Sequence, residues 1–454
     1  MAESQQQTTE EHVTVLGAGL AGTEAAWQLA CRGIPVTLVE MRPSTPSPAH
    51  HTGDFAELVC SNSLKNEDAN TAAGLLKHEL TTMGSLVLEI ARRTRVPAGS
   101  ALAVDRGLFS SELTRLVSGH PLVTVVRAEA AEIPAGRVII ATGPLTSPAF
   151  EAALAALVGG ARLAFYDAAA PIIDTESIDR SIVFAASRYD KGEGADYLNA
   201  PMDRAEYEAF HEALVSARRV TAKEFEQADL FQACQPVEEV GRSGTDALRF
   251  GALKPVGLAD PRTGHRPWAV VQLRAENTAL TAYNLVGFQT NLAFSEQERV
   301  LRMIPGLESA EFLRYGVMHR NTFVDAPRLL DATLAMRGER RIRLAGQLTG
   351  TEGYVEAAAS GLIAALNAWA DITGNPPVVL PVTTAFGSLV AYATDPLTQP
   401  YQPMHVNFGI IPPLPERVRG KRERYAAYSA RAQADLTAWL AEYPVPLRLD
   451  PDHG

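Results

Sequence analysis

The stretch HVTVLGAGLAGTEAAWQLACRGIPVTLVE, residues 12–40, decides the fold. Apolar residues from Val13 to Leu16 predict a strand, and the turn after it carries Gly17, Gly19 and Gly22. A helix then runs to about Cys31 and is closed by Gly33; a second strand ends at Glu40, eighteen residues after Gly22. A G-x-G-x-x-G turn in this strand–helix–strand setting is a dinucleotide fingerprint. Gly17 permits the tight turn, Gly19 lets backbone amides approach a pyrophosphate, and Gly22 lets helix and strand pack closely. Ala18, Leu20 and Ala21 complete that cradle, and the helix N-terminus offers it unpaired N–H groups. Glu40 is placed to accept hydrogen bonds from a ribose hydroxyl.

Outward from this unit, the apolar stripe Leu76, Leu80, Met83, Val87, Ile90 predicts one amphipathic helix between Asn70 and Arg93. Arg92, Arg93 and Arg95 then serve either the helix C-terminus or a phosphate. RVIIATGP, residues 137–144, reads as another buried strand, ending in a turn at Gly143 that approaches the same nucleotide. From about residue 165 to 330 the helix–strand alternation fades. Polar strands such as RPWAVVQLRAE and AYNLVGFQTNL predict an antiparallel insertion. RIRLAGQLTGTEGYVEAAASGLIAALNAWA, residues 341–370, brings the strand–helix alternation back, with a strand up to Gly346, a glycine loop, and a helix starting near Glu352. Amides at that helix N-terminus suit an anionic reduced flavin. A nucleotide domain with pieces at both ends of the chain favours FAD over NAD.

The expected fold class is therefore α/β, a discontinuous Rossmann-like FAD-binding domain with an inserted α+β domain. The expected division is a disordered tail at 1–11, the first part of the FAD domain at 12–165 and the insertion at 166–332. The second part, with C-terminal helices, is expected at 333–454.

Composition narrows the function. The chain has 454 residues, 46% of them hydrophobic and 20% charged, as in ordinary globular domains. Its net charge of −11 argues against indiscriminate nucleic-acid binding, which needs many cations. A local basic stretch, ERVRGKRERYAAYSAR, is the exception; interleaved Glu416 and Glu423 make a solvated helix its plainer reading. No leader or membrane-spanning run stands out, so a cytoplasmic setting is expected, and nothing calls for an obligate protein partner. Three cysteines, Cys31, Cys60 and Cys234, are too few and too scattered for a disulfide framework or a metal site. Cys31 reads as a packing residue on the first helix. Cys60 stands where apolar Leu58 and Val59 give way to Ser61, Asn62, Ser63 and Lys65. Cys234, near Arg242, is either a buried strand residue or a nucleophile.

Six stretches together resemble one family. They are GAGLAGTEAAWQLA, ELVCSNSLK, SRYDKGEGADYLN, FQACQPVEE, GVMHRNTF and LAGQLTGTEGYVE, spread over nearly the whole chain. The sequence is similar to the folate- and FAD-dependent tRNA (uracil-5-)-methyltransferases, TrmFO. The resemblance implies methylation of C5 of the T-loop uridine at position 54 of tRNA. Carbon would come from 5,10-methylenetetrahydrofolate, and electrons from NAD(P)H through FAD. It implies that Gly17 through Gly22 hold FAD, with Gly346, Glu352, Gly353 and Tyr354 near the flavin. It assigns Cys234 and Cys60 to catalysis and His319 to the folate pterin. Members often carry a cysteine where this chain has Ala200 in DYLNAPM. Uracil C5 is a weak nucleophile, and a thiolate added at C6 would activate it, so a nucleophilic cysteine, a base and a hydride source are the needed parts. Asn284, Gln289, Thr290 and Asn291 either read a pyrimidine edge or form the solvent face of a strand.

Overall fold

The computed structural model describes residues 11–47, 49–159, 162–168, 170–190, 195–220, 235–316, 318–399 and 401–447. Its first sheet grows from the opening motif. The strand Val13–Leu16 pairs in parallel with Val36–Glu40 on one side and with Arg137–Ile140 on the other. Val123–Arg127 extends one edge, and Glu339–Leu344, nearly two hundred residues after its neighbour in the sheet, extends the other. The central strands Val13–Leu16 and Arg137–Ile140 are almost wholly buried, which is why they read as apolar runs.

Two helices meet on one face of this sheet, Leu20–Ala30 and Tyr354–Thr373. Their contact depends on small residues. A Cβ on Gly361 would lie 2.1 Å from the Ala21 carbonyl oxygen, and one on Gly22 would lie 1.8 Å from that of Gly17. Glycine at both places lets the early and late segments approach closely. The predicted single helix between Asn70 and Arg93 is two, Ala72–Thr82 and Leu86–Arg93. Gly84 takes φ 78° and Ser85 caps the second helix, so the apolar stripe continues across a break. Arg92 and Arg95 pair with Glu67, and Arg93 with Glu89, so carboxylates rather than phosphate occupy them.

The second sheet is antiparallel throughout. Its order is Phe184–Ala185, Tyr197–Met202, Ala269–Ala275, Ala282–Leu285, Ile172–Asp174, Phe312–Arg314. One face packs an apolar core with the helix Arg204–Ser216, and Ala200 lies in that core, fully buried. A two-stranded ribbon, Arg162–Ala168 with Met318–Val324, joins the two bodies. The main cores divide on either side of it: one draws on residues up to Val158 and from Phe323 onward, the other on Ala170 to Ala310. We propose the ribbon as the domain boundary, in place of fixed cuts at 165 and 332. Among the described residues no helix is long and apolar enough to cross a membrane.

Candidate active site

A cleft opens at the carboxyl ends of the parallel strands. This is where open α/β sheets bind ligands. Gly17, Gly19, Leu20, Ala21, Glu40, Gly143, Gly346, Gly353 and Tyr354 all line it. Three other predicted residues stand behind the wall. Ala18 donates its N–H to Glu40 Oε2 (2.8 Å), Gly22 packs against Gly17, and Glu352 accepts from Gln347 Nε2, which itself lines the cleft. Burial opposes the charge of Glu40, but Arg42 Nε at 2.8 Å and the Ala18 amide outweigh it, so the carboxyl stays below its ordinary value.

The residues present fit a dinucleotide. A Cβ on Gly19 would meet nothing within 4 Å, so the space beside that turn is open to a ligand. The helices starting at Leu20 and Tyr354 have no side-chain cap, and the first residues of both line the cleft. Two uncapped helix starts at one cleft favour negative groups at both ends of a long ligand.

Cys60 lies at the border of this cleft. Val59 lines it, and the Tyr354 hydroxyl accepts the N–H groups of Cys60 (2.8 Å) and Ser61 (3.1 Å). Burial and then the neighbouring Cys60 hold the Tyr354 phenol above its ordinary value. Three arginines from distant segments grip the same loop. Arg106 donates to the Leu58 carbonyl and Arg314 to the Val59 carbonyl (2.7 Å). Arg274 reaches Asn62 Oδ1 (2.7 Å) and Ser61 Oγ (2.6 Å). All three interact electrostatically with Cys60. Burial lowers Arg274 and Arg314 from the usual arginine value. Arg106, though buried, is held above it by Glu276 at 2.9 Å. The cluster places positive potential around the thiol, the setting that favours thiolate. Lys65, the cation nearest in sequence, is instead paired with Glu356 at 3.0 Å.

Two of these arginines belong to one row across the second sheet. Arg274 stands opposite Asn284, Asn284 opposite Ile172, and Ile172 opposite Arg314. The solvent-face reading fails for two of the four amide and hydroxyl residues, while Gln289 and Asn291 stay half-exposed. Asn284 is 2% exposed and Thr290 is also buried, hydrogen-bonded to Glu238 (2.8 Å). Among the described residues, no hydrogen-bond partner meets the buried Asn284 Nδ2 or Glu276 Oε1.

Residues 12–376 match the family described as "Glucose inhibited division protein A". A protein of Heliobacterium modesticaldum named methylenetetrahydrofolate–tRNA-(uracil-5-)-methyltransferase TrmFO is 56% identical over 431 residues, 95% of this chain and 98% of that one. A protein of Thermosynechococcus vestitus with the same name is 55% identical over 96% of each chain.

The chain belongs to the TrmFO family.

The GidA structure from Aquifex aeolicus superposes with a TM-score of 0.68 at 17% identity, over 94% of this chain and 73% of that one; this likeness shows the fold. Within the TrmFO chain, Cys234 lies outside the described residues. The helix Val237–Arg242 just after it docks on residues 289–291, through Val237 N–H to Gln289 O (2.7 Å) and Asn291 N–H to Glu238 (2.8 Å). Arg242 is engaged by Glu239 and the Val215 carbonyl. His319 lies on the ribbon, its backbone opposite Asp167. Three residues on, Thr322 N–H donates to the carbonyl of cleft-lining Pro144 (2.9 Å). Cys31 caps the end of the first helix, half-buried, and burial pushes its thiol up to about 11. Arg106, Arg274 and Arg314 went unseen in the sequence. Each is one arginine among many, and only the packing of distant segments brings them together.

Proposed function

We propose that this TrmFO chain methylates C5 of the T-loop uridine at position 54 of tRNA. The carbon donor is 5,10-methylenetetrahydrofolate, and NAD(P)H is the reductant through FAD. The observation that carries this reading is the Cys60 loop, fastened by Tyr354 and ringed by three arginines at the edge of a dinucleotide cleft. Near-full-length identity of about 55% to proteins named for this reaction supports it.

FAD, when bound in the cleft, supplies the hydride. The protein's own residues do the rest. The Cys234 thiolate adds to uracil C6, and the electron pair moves onto the C5–C4–O4 enolate. C5 then attacks the methylene carbon carried by the folate. The Cys60 thiolate, held by Arg106, Arg274 and Arg314, takes the C5 proton. Loss of the C5 proton expels tetrahydrofolate from the methylene carbon and leaves an exocyclic methylene; hydride delivered to that carbon would push an electron pair onto C5, which expels the Cys234 thiolate from C6 and restores the C5–C6 double bond. The T-loop base must leave its stack to reach the Cys60 loop. His319 on the ribbon is assigned to the pterin, and the ribbon's bond to Pro144 brings that strand to the cleft.

The test is to incubate the yellow holoprotein with unmodified tRNA, methylenetetrahydrofolate and NAD(P)H and to measure 5-methyluridine. Absence of product under all three would overturn the reading. Roles separate with T-arm RNA carrying 5-fluorouridine. Cys60→Ala should still form the covalent RNA adduct but make no 5-methyluridine with saturating FAD. Cys234→Ala should form no adduct.

A further inference from the structure

The active-site reading leaves one strongly charged surface unused. Arg417, Arg419, Lys421, Arg422 and Arg424 lie in the loop before, and the first turn of, the helix Lys421–Glu442, and all five are exposed. Among the described residues none of them is in an ion pair. Elsewhere, surface helix arginines are neutralised by carboxylates three or four residues away: Arg93 by Glu89, Arg115 by Glu112, Arg204 by Glu208 and Arg299 by Glu296. Here Glu423 is adjacent to Arg422 and Arg424, a spacing at which helical side chains diverge. So the interleaved acids do not discharge the stretch, and five open cations stand on a chain of net charge −11.

The patch is also built to hold its shape. Phe408 packs against Tyr425 with tilted rings whose centres are 4.4 Å apart, and lies 5.4 Å from Tyr428. Lys421 and Arg424 lie over Tyr425, at 5.5 and 5.7 Å. Arg431 ties the entering loop to the helix through the carbonyls of Pro412 (2.6 Å) and Pro413 (2.8 Å). It is joined to the catalytic side of the molecule by two short links. Ser429 Oγ donates to the Ala69 carbonyl, just beyond the strand Ser63–Asn66 that follows Cys60. Val406, two residues before Phe408, donates to Glu356, the partner of Lys65 and a first-turn residue of the helix that opens with Tyr354.

We propose that this loop and helix start grip the sugar–phosphate backbone of the tRNA whose uridine enters beside Cys60. Five unpaired cations on an aromatic base suit a run of phosphates, while the helix arginines elsewhere already have a carboxylate beside them. The proposal rests on the tRNA reading above and adds the surface that reading lacks.

The test uses the full-length holoenzyme carrying Arg417→Gln, Arg419→Gln, Arg422→Gln and Arg424→Gln together. A control variant neutralises Arg93, Arg115, Arg204 and Arg299 in the same way, with equal loss of charge. Binding of an unmodified tRNA transcript is measured across a salt series. The patch variant should bind at least about ten-fold more weakly at low salt. Its plot of log affinity against log salt should be shallower by roughly 0.9 for each phosphate it no longer neutralises. FAD content and NAD(P)H-driven flavin reduction should match wild type, which excludes misfolding. The control should bind as wild type does. Unchanged affinity and slope in the patch variant, or equal losses in both variants, would overturn the proposed surface. Wild-type protein that binds no tRNA at all would instead overturn the functional reading.

Discussion

At the scale of single residues, the site rests on two contacts that can be cut separately. Gly19 faces open space, so Gly19→Val puts a side chain where a pyrophosphate would lie. The purified variant should be colourless, and an unchanged flavin-to-protein ratio would refute the placement. Tyr354 has a different task, since its hydroxyl accepts two amides of the Cys60 loop. Tyr354→Phe keeps the ring in the cleft but strands both N–H groups. Each buried bond removed costs about 1 kcal/mol, so 5-methyluridine formation should slow by about ten-fold or more while FAD stays bound. Initial rates at saturating FAD check this; an undiminished rate would mean the loop is held by the arginines alone. The glycines were legible because each acts through its own backbone and immediate neighbours. Arg274 was not, because its partners Ser61 and Asn62 lie more than two hundred residues away.

At the scale of elements, buried carboxylates join helices whose ends would otherwise lack partners. Glu24 receives the amides of Leu86 and Val87, and Glu79 those of Ala385 and Phe386. Burial pushes the Glu79 carboxyl up to about 8, against the two amides that favour its charge. From the ordinary value of 4.5 up to about 8 the folded state therefore keeps a proton that the unfolded chain has lost. Stability should fall as pH rises through that window, by up to about 1.4 kcal/mol per unit. Glu79→Gln, neutral at every pH, should flatten the dependence. Unfolding midpoints of the two proteins between pH 5 and 8 decide it, and parallel curves would refute it. A Gly361→Ala change tests the crossing of the two long helices, where the added Cβ would meet the Ala21 carbonyl. A loss of about 1–3 kcal/mol is expected from such overpacking, read by denaturant unfolding. Helix periodicity announced these elements well. It missed the break at Gly84 because the apolar stripe runs on either side of it.

At the scale of the whole molecule, the cleft is closed by segments from both ends of the chain, and the second sheet supplies two of the three arginines around Cys60. A ligand bound there ties the early and late segments together, so FAD at a hundred times its Kd should add about 2.7 kcal/mol to stability. Apo and reconstituted protein compared by calorimetry should show that rise in the transition of the first body; equal midpoints would argue against a cofactor spanning both segments. By itself the sequence determined the dinucleotide unit, the antiparallel character of the insertion and the return of the first fold after residue 340, since these follow from local periodicity and glycine spacing. Only the tertiary structure decided which cations face Cys60, that Lys65 pairs with Glu356 instead, and that Asn284 is buried beside the site rather than solvated. The reason is physical. A turn or a helix is stabilised by neighbours in sequence, whereas the charge and burial around a thiol are set by whatever the pairing of distant strands brings against it.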